Sequence, residues 1–214
     1  MSHDAARTSW IDQFVFRDGV FHTFRQVASA AELLARVAED RVGLTRSTYD
    51  AVRSACYQAL VLADLARLLD EDVAVLARRA DEALHPGVDP VRRAGALTTS
   101  FTGTVRTTAT LVDTCHTLLE VAQQLLVVRR TRSRLELMTA VGMLRGAAGS
   151  AHLAVLANLP RVTDAGLYDE LSVGLSSLDV TLALADRLTA AMRSDTALGG
   201  PLPAQRATVS GGVS

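Results

Sequence analysis

Four residues in the second half of the chain have the types and spacing to build a small-molecule site. Gly142, Arg145, Gly149 and His152 follow one another at intervals of three, four and three, so on a helix they share one side. The glycines would leave room beside that helix. A guanidinium holds a carboxylate through two parallel hydrogen bonds, and an imidazole gives and takes protons near neutral pH. Arg145 and His152 are therefore candidate catalytic residues. The same pattern also suits a close helix crossing, with Arg145 reaching to solvent and His152 hydrogen-bonded in place. Upstream, Thr98, Thr99, Ser100, Thr102, Thr104, Thr107, Thr108 and Thr110 could line a polar pocket, with Arg106 and Thr102 as substrate contacts. Threonines in a helix can equally bond back to their own carbonyls, and a mixture of the two is expected. Cys115 and His116 are adjacent, point in different directions on a helix, and make no nucleophile–base dyad. The histidines His3, His22, His85, His116 and His152 and the cysteines Cys56 and Cys115 show neither His-x-x-x-His nor Cys-x-x-Cys spacing, so no metal is expected. No phosphate loop or dinucleotide fingerprint occurs, and no cofactor is expected.

Composition limits the partners. The net charge of −1 over 214 residues gives no basic face for nucleic acid. No run of about 18 apolar residues marks a membrane span, and the polar start Met1–Trp10 does not read as a secretory signal. With two cysteines in apolar helical patterns, a reduced, cytoplasmic protein is expected. All 22 cationic side chains are arginine, which removes lysine chemistry, Schiff bases included. It also suggests a GC-rich genome, which the coding DNA would settle.

The elements that must position these groups are helices. Hydrophobic content is 49% with only 4% aromatic, a core of Leu, Val and Ala rather than of alternating β-branched and aromatic residues. A chain of this length buries roughly 70–75% of its unfolded surface, so it needs no staple. Asp18-Gly19 reads as a turn. Apolar residues at three- and four-residue spacing then predict a helix over 21–40 and another over 47–84. The second is capped by Thr45 or Ser47 and is either one helix or two with a bend. His85-Pro86-Gly87-Val88-Asp89-Pro90 ends it. A third helix is predicted over 91–129, where Gly103 costs about 1 kcal/mol against alanine. A fourth runs over 135–158, with Gly142, Gly146, Gly149 and Ser150 small enough for close helix approach. A fifth runs from Thr163 or Asp164 to about 195. Residues 196–214, rich in Gly, Pro and Ser, read as a flexible tail. The fold class is all-α: one domain over 1–195, a bundle of about five helices.

Within that framework the stretch from about Asp70 to Glu170 resembles the cyclodeaminase/cyclohydrolase family. Four segments carry the likeness: Asp70-Glu71-Asp72-Val73-Ala74, Thr108–Ala122, Ser133–Ala148, and Asn158-Leu159-Pro160-Arg161-Val162-Thr163-Asp164. The resemblance implies an all-α homodimer with a cleft near the subunit interface. It makes Asp72 a candidate general base, with Asp70 more readily a solvated face. It makes Asn158 and Asp164 candidate substrate contacts, although an asparagine near a helix end and an aspartate at an N-cap need no ligand. The family's Gly-rich element, which begins a helix at its folate site, corresponds here to Arg17–Thr23, where only Gly19 survives. Ser133-Arg134 or Leu135-Glu136 replaces its Ser-Asp, and Ala154 stands where its first asparagine would.

The resemblance therefore implies a diverged enzyme acting on a C–N bond in a ring-forming or ring-opening step. Tetrahydrofolate is possible by kinship, but the lost glycines point to a non-folate small molecule in a specialised biosynthetic pathway. The alternative is a non-catalytic helical dimer that binds a small ligand or a protein partner. A buried, polar-lined cleft would separate the two.

Overall fold

A computed structural model describes residues 17–40, 43–128 and 130–198 of the chain. The apolar stripes resolve into six α-helices: α1 (Arg17–Glu39), α2 (Arg46–Ala83), α3 (Pro90–Gln124), α4 (Thr131–Asn158), α5 (Ala165–Ser176) and α6 (Leu178–Leu198). Single 3-10 turns, Leu125–Val127 and Leu159–Arg161, follow α3 and α4. Among the described residues there is no strand.

The helix boundaries have local causes. Asp18-Gly19, expected as a turn, lies in the first turn of α1. There the amides lack intrahelical partners in any case. Thr45, not Ser47, caps α2, its hydroxyl accepting from the Thr48 amide at 3.4 Å. The helix then runs unbroken for 38 residues, about 57 Å at 1.5 Å per residue. Gly87 supplies the left-handed backbone of the following turn (φ +95°). Asp89 caps α3 through Val91 and Arg92, both at 3.0 Å, ahead of Pro90. Arg93 reaches back to the carbonyls of Ala83 (3.2 Å) and Val88 (3.1 Å), covering the end of α2.

Two boundaries differ from expectation. Helix α4 begins at Thr131 rather than near 135. The expected fifth helix is two, α5 and α6, parted at Ser177. The Ser177 carbonyl accepts from the Thr181 amide (3.1 Å) and hydroxyl (3.0 Å), and Asp179 sits in the first turn of α6. The leucine stripe 167, 171, 175, 178, 182 stays in phase across this break, which is why periodicity does not reveal it. The tail expected over 196–214 lies, from 199 onward, outside the described residues.

The first four helices close a ring: α1 packs on α2 and α4, α2 on α3, and α3 on α4, while α6 lies against α4 and α3. The core is aliphatic, with Leu34, Leu111, Leu118, Leu137 and Leu144 fully buried and Phe24 its large aromatic member. Ala59, Ala63 and Ala66, all at 0% exposure, let α2 approach its neighbours closely. Helix α4, with its 3-10 turn, is long and apolar enough to span a membrane. Part of that apolarity goes to the core through Leu137, Val141, Leu144 and Val155, while Leu135, Leu153 and Leu156 are exposed. A smaller cluster of Val105, Val155, Leu167 and Leu171 seats α5 on α3 and α4. Burial pushes the Cys115 thiol up to about 12, so it is an inert core group.

Candidate functional site

Helices α1 and α2 each carry a polar face, and the fold sets parts of those faces side by side. Between them lies a cleft of about 310 Å³ lined by Phe24, Arg25, Ala28, Ser29, Glu32, Ala66, Arg67, Asp70 and Glu71. Phe24, Ala28 and Ala66 are buried and form its floor. The small side chains of Ala28, Ser29 and Ala66 leave the space. Ion pairs stand at the walls. Arg25 Nε meets Asp70 Oδ2 at 3.3 Å, and Arg67 is held between Glu32 and Asp64.

The two walls are unequal. Arg67 has two carboxylate partners. Arg25 touches Asp70 through one nitrogen, and its side chain is 70% exposed against 20% for Asp70. Such a pair contributes at most about 1 kcal/mol. Asp70 Oδ1 is buried and has no hydrogen-bond partner, and an unsatisfied buried acceptor costs about 1–3 kcal/mol. A carboxylate held in a cleft with an unused oxygen is able to accept and return a proton.

Asp72, two residues along α2, is exposed and does not line the cleft; Asp70, expected as the solvated member of the pair, does. Arg145 and His152 lie on the seam between α4 and α6. Arg145 Nε donates to Asp186 Oδ1 at 2.8 Å, which holds the guanidinium above and the Asp186 carboxyl below their ordinary values. Burial pushes His152 down, and nearby Asp179 partly opposes this. Asp179 and Asp186 lie seven residues apart on α6, as Arg145 and His152 do on α4, and the two pairs run in opposite order, as antiparallel packing requires. His152 Nδ1 is buried without a partner. Gly142 and Gly149 face open space, and a Cβ on Gly146 would stand at an ordinary contact distance of 3.5 Å from Gln26 Nε2. Gln26 donates there to the Met143 carbonyl at 3.0 Å.

Three of the other candidates, Arg106, Asn158 and Asp164, hydrogen-bond within or between α3, α4 and α5. Arg106 pairs with Glu170 at 3.3 Å. Asn158 Nδ2 donates to the Ala154 carbonyl at 2.7 Å. Asp164 caps α5, accepting from the Leu167 amide at 2.7 Å. Thr102 is half-buried. Thr104 and Thr108 are buried and bond back to Ser100 and Thr104, at 2.9 and 2.8 Å, so these hydroxyls are spent within α3. His116 Nδ1 lies 3.1 Å from Thr181 Oγ1. Because Thr181 gives its own hydrogen to Ser177, the imidazole nitrogen is the donor. No group of three or more metal-binding side chains occurs among the described residues.

Sequence reasoning missed Arg25, Ser29, Glu32 and Arg67. Their only signal was polarity on the outer faces of two helices, which is the ordinary signature of a solvated surface.

Comparison with known proteins places the fold. The sequence model described as formiminotransferase-cyclodeaminase matches residues 25–177. The crystal structure of formiminotetrahydrofolate cyclodeaminase from Thermotoga maritima is similar, with a TM-score of 0.62 and 12% sequence identity. The likeness covers 83% of this chain and 88% of that one. At that identity the structural likeness is one of fold. No curated protein sequence matches the chain.

Proposed function

The chain belongs to the formiminotransferase-cyclodeaminase family, and from that premise we propose a cyclodeaminase-type enzyme that makes or breaks a C–N bond in a ring-forming or ring-opening step. The observation that carries the proposal is Asp70, set in the α1–α2 cleft with one carboxylate oxygen buried and unpartnered. In the ring-closing direction a substrate nitrogen attacks an electrophilic carbon and the new C–N bond forms. Asp70 takes the proton from the attacking nitrogen and returns it to the departing one, which leaves as ammonia or an amine. Proton and electron pair balance without a cofactor. Arg67, already tied to Glu32 and Asp64, is a wall of fixed charge that orients the substrate.

The substrate is a non-folate small molecule, in the context of a specialised biosynthetic pathway. Two features support this. The segment that stands where the family has its Gly-rich element, Arg17–Thr23, is the first part of helix α1 and retains only Gly19. It runs directly into Phe24 and Arg25 of the cleft. The cleft, at about 310 Å³, is at the small end of the range for ligand pockets, roughly 300–1,000 Å³. The active assembly is a homodimer. The deciding experiment is an assay of formimino- and methenyltetrahydrofolate turnover with the full chain. The expected result is no turnover at ordinary enzyme rates, and turnover at such rates would overturn the substrate assignment.

A further inference from the structure

The outer face of α2 from Arg46 to Glu71 carries more than the charges of a solvated surface. Tyr49, Tyr57, Leu60, Val61 and Leu68 are all exposed there, Tyr57 to 71%. Large apolar side chains gathered on one exposed helix face mark a surface that meets a partner, and tyrosine is a frequent anchor of such contacts. Charged residues stand between the apolar ones, and their order says which partner fits. Arg46, Asp50, Arg53, Asp64, Arg67 and Glu71 are all exposed. About the midpoint between Gln58 and Ala59 their signs are inverted. Arg46 lies as far before that point as Glu71 lies after it. Asp50 is matched with Arg67 in the same way, and Arg53 with Asp64. The apolar positions follow the same centre, Tyr57 with Leu60 and Tyr49 with Leu68.

A helix with this pattern complements a copy of itself that runs the other way. We propose that this face is a two-fold interface with a second copy of the chain, the two α2 helices antiparallel and crossing at Gln58–Ala59. On the line of closest approach Arg46 meets Glu71 of the partner subunit, Arg53 meets the partner's Asp64, and Tyr57 packs on the partner's Leu60. The symmetry makes each contact twice. Asp64 already accepts from Arg67 through Oδ1, but its side chain is 75% exposed and has a second oxygen to offer. A parallel pairing would instead set each charge against its own copy. Exposed ion pairs contribute little affinity, so the apolar side chains supply the attraction and the charges fix direction and register. The overlap from Arg46 to Glu71 is about 38 Å of helix. This rests on the homodimer of the proposed function and says where it forms. It also makes the second subunit part of the site, because Glu71 lines the α1–α2 cleft and the partner's Arg46 brings a cation to that wall.

The test is sedimentation equilibrium of the full chain and of two charge reversals. The wild-type chain is expected to dimerise at micromolar concentration. Arg53→Asp and Asp64→Arg each oppose like charges twice in a homodimer, and each is expected to weaken dimerisation by at least about tenfold. An equimolar mixture of the two variants is expected to return to the wild-type dissociation constant, because the mixed dimer restores opposite charges at both contacts. That recovery also shows that both variants are folded. A wild-type dimer that neither reversal weakens overturns this interface and leaves the homodimer standing. A mixture that associates no more tightly than its components overturns it as well. A wild-type chain that stays monomeric overturns both the interface and the homodimer.

Discussion

Asp70 and His152 stand in two different environments. Both carry a buried atom without a partner, but Asp70 opens on a cleft while His152 sits on a helix seam opposite Asp179. For Asp70 the expectation is kinetic. Asn in its place should lower kcat on the true substrate by about 100-fold or more, the usual worth of a positioned acid–base group, with the melting temperature nearly unchanged. For His152 the expectation concerns stability. Burial favours the neutral ring, so its folded pKa lies below 6.5 and the unfolded chain binds that proton more readily. Its contribution is therefore present above about pH 6.5 and is lost as pH falls through the folded value. Urea midpoints measured from about pH 7.5 down to 5 should fall, and His152→Gln should flatten that decline. A slope unchanged by the substitution would assign the pH dependence to other groups.

At the scale of elements, the contact between α2 and α3 is the most demanding. A Cβ on Gly103 would stand 2.8 Å from Leu76 Cδ1, which is the far end of a flexible, half-buried side chain. Alanine there gains about 1 kcal/mol of helix propensity, which offsets most of the cost of moving that methyl group. Gly103→Ala is therefore expected to change stability by under about 1 kcal/mol, whereas Gly103→Val should lose about 1–3 kcal/mol by overpacking. Chemical denaturation of both variants checks the pair. Gly142 and Gly149 on α4 meet nothing within 4 Å, so alanine at either should stabilise the folded chain by about 0.5–1 kcal/mol. The threonine-rich half of α3 was legible as unusual. That the hydroxyls of Thr99, Thr104, Thr108 and Thr110 bond to carbonyls four residues back depends on helix geometry alone.

For the whole molecule, the closed ring of α1 to α4 with α6 laid over α3 and α4 explains how a chain with 4% aromatic residues holds a core. Alanines bring the helices close and leucines interlock between them. The α1–α2 cleft then lies on the outside of the ring. Light scattering of the full chain is expected to give about twice the 22.8 kDa of one chain, and a monomer mass across micromolar concentrations would refute the homodimer.

The helical class, most element boundaries, a cap at Thr163 or Asp164 and the kinship itself were all written in local order. The period of 3.6 residues, the Pro-Gly breakers and the capping residues act over a few neighbours and need no partner. Three things were not: the break at Ser177, the choice of Asp70 over Asp72, and the cleft. The first hides because the leucine stripe keeps its phase across it. The other two depend on which outer faces become neighbours. A polar face bound for solvent and one bound for another polar face have the same composition. Only the packing of α1 against α2 brings Arg25 to Asp70, 45 positions along the chain, and opens the cleft they line.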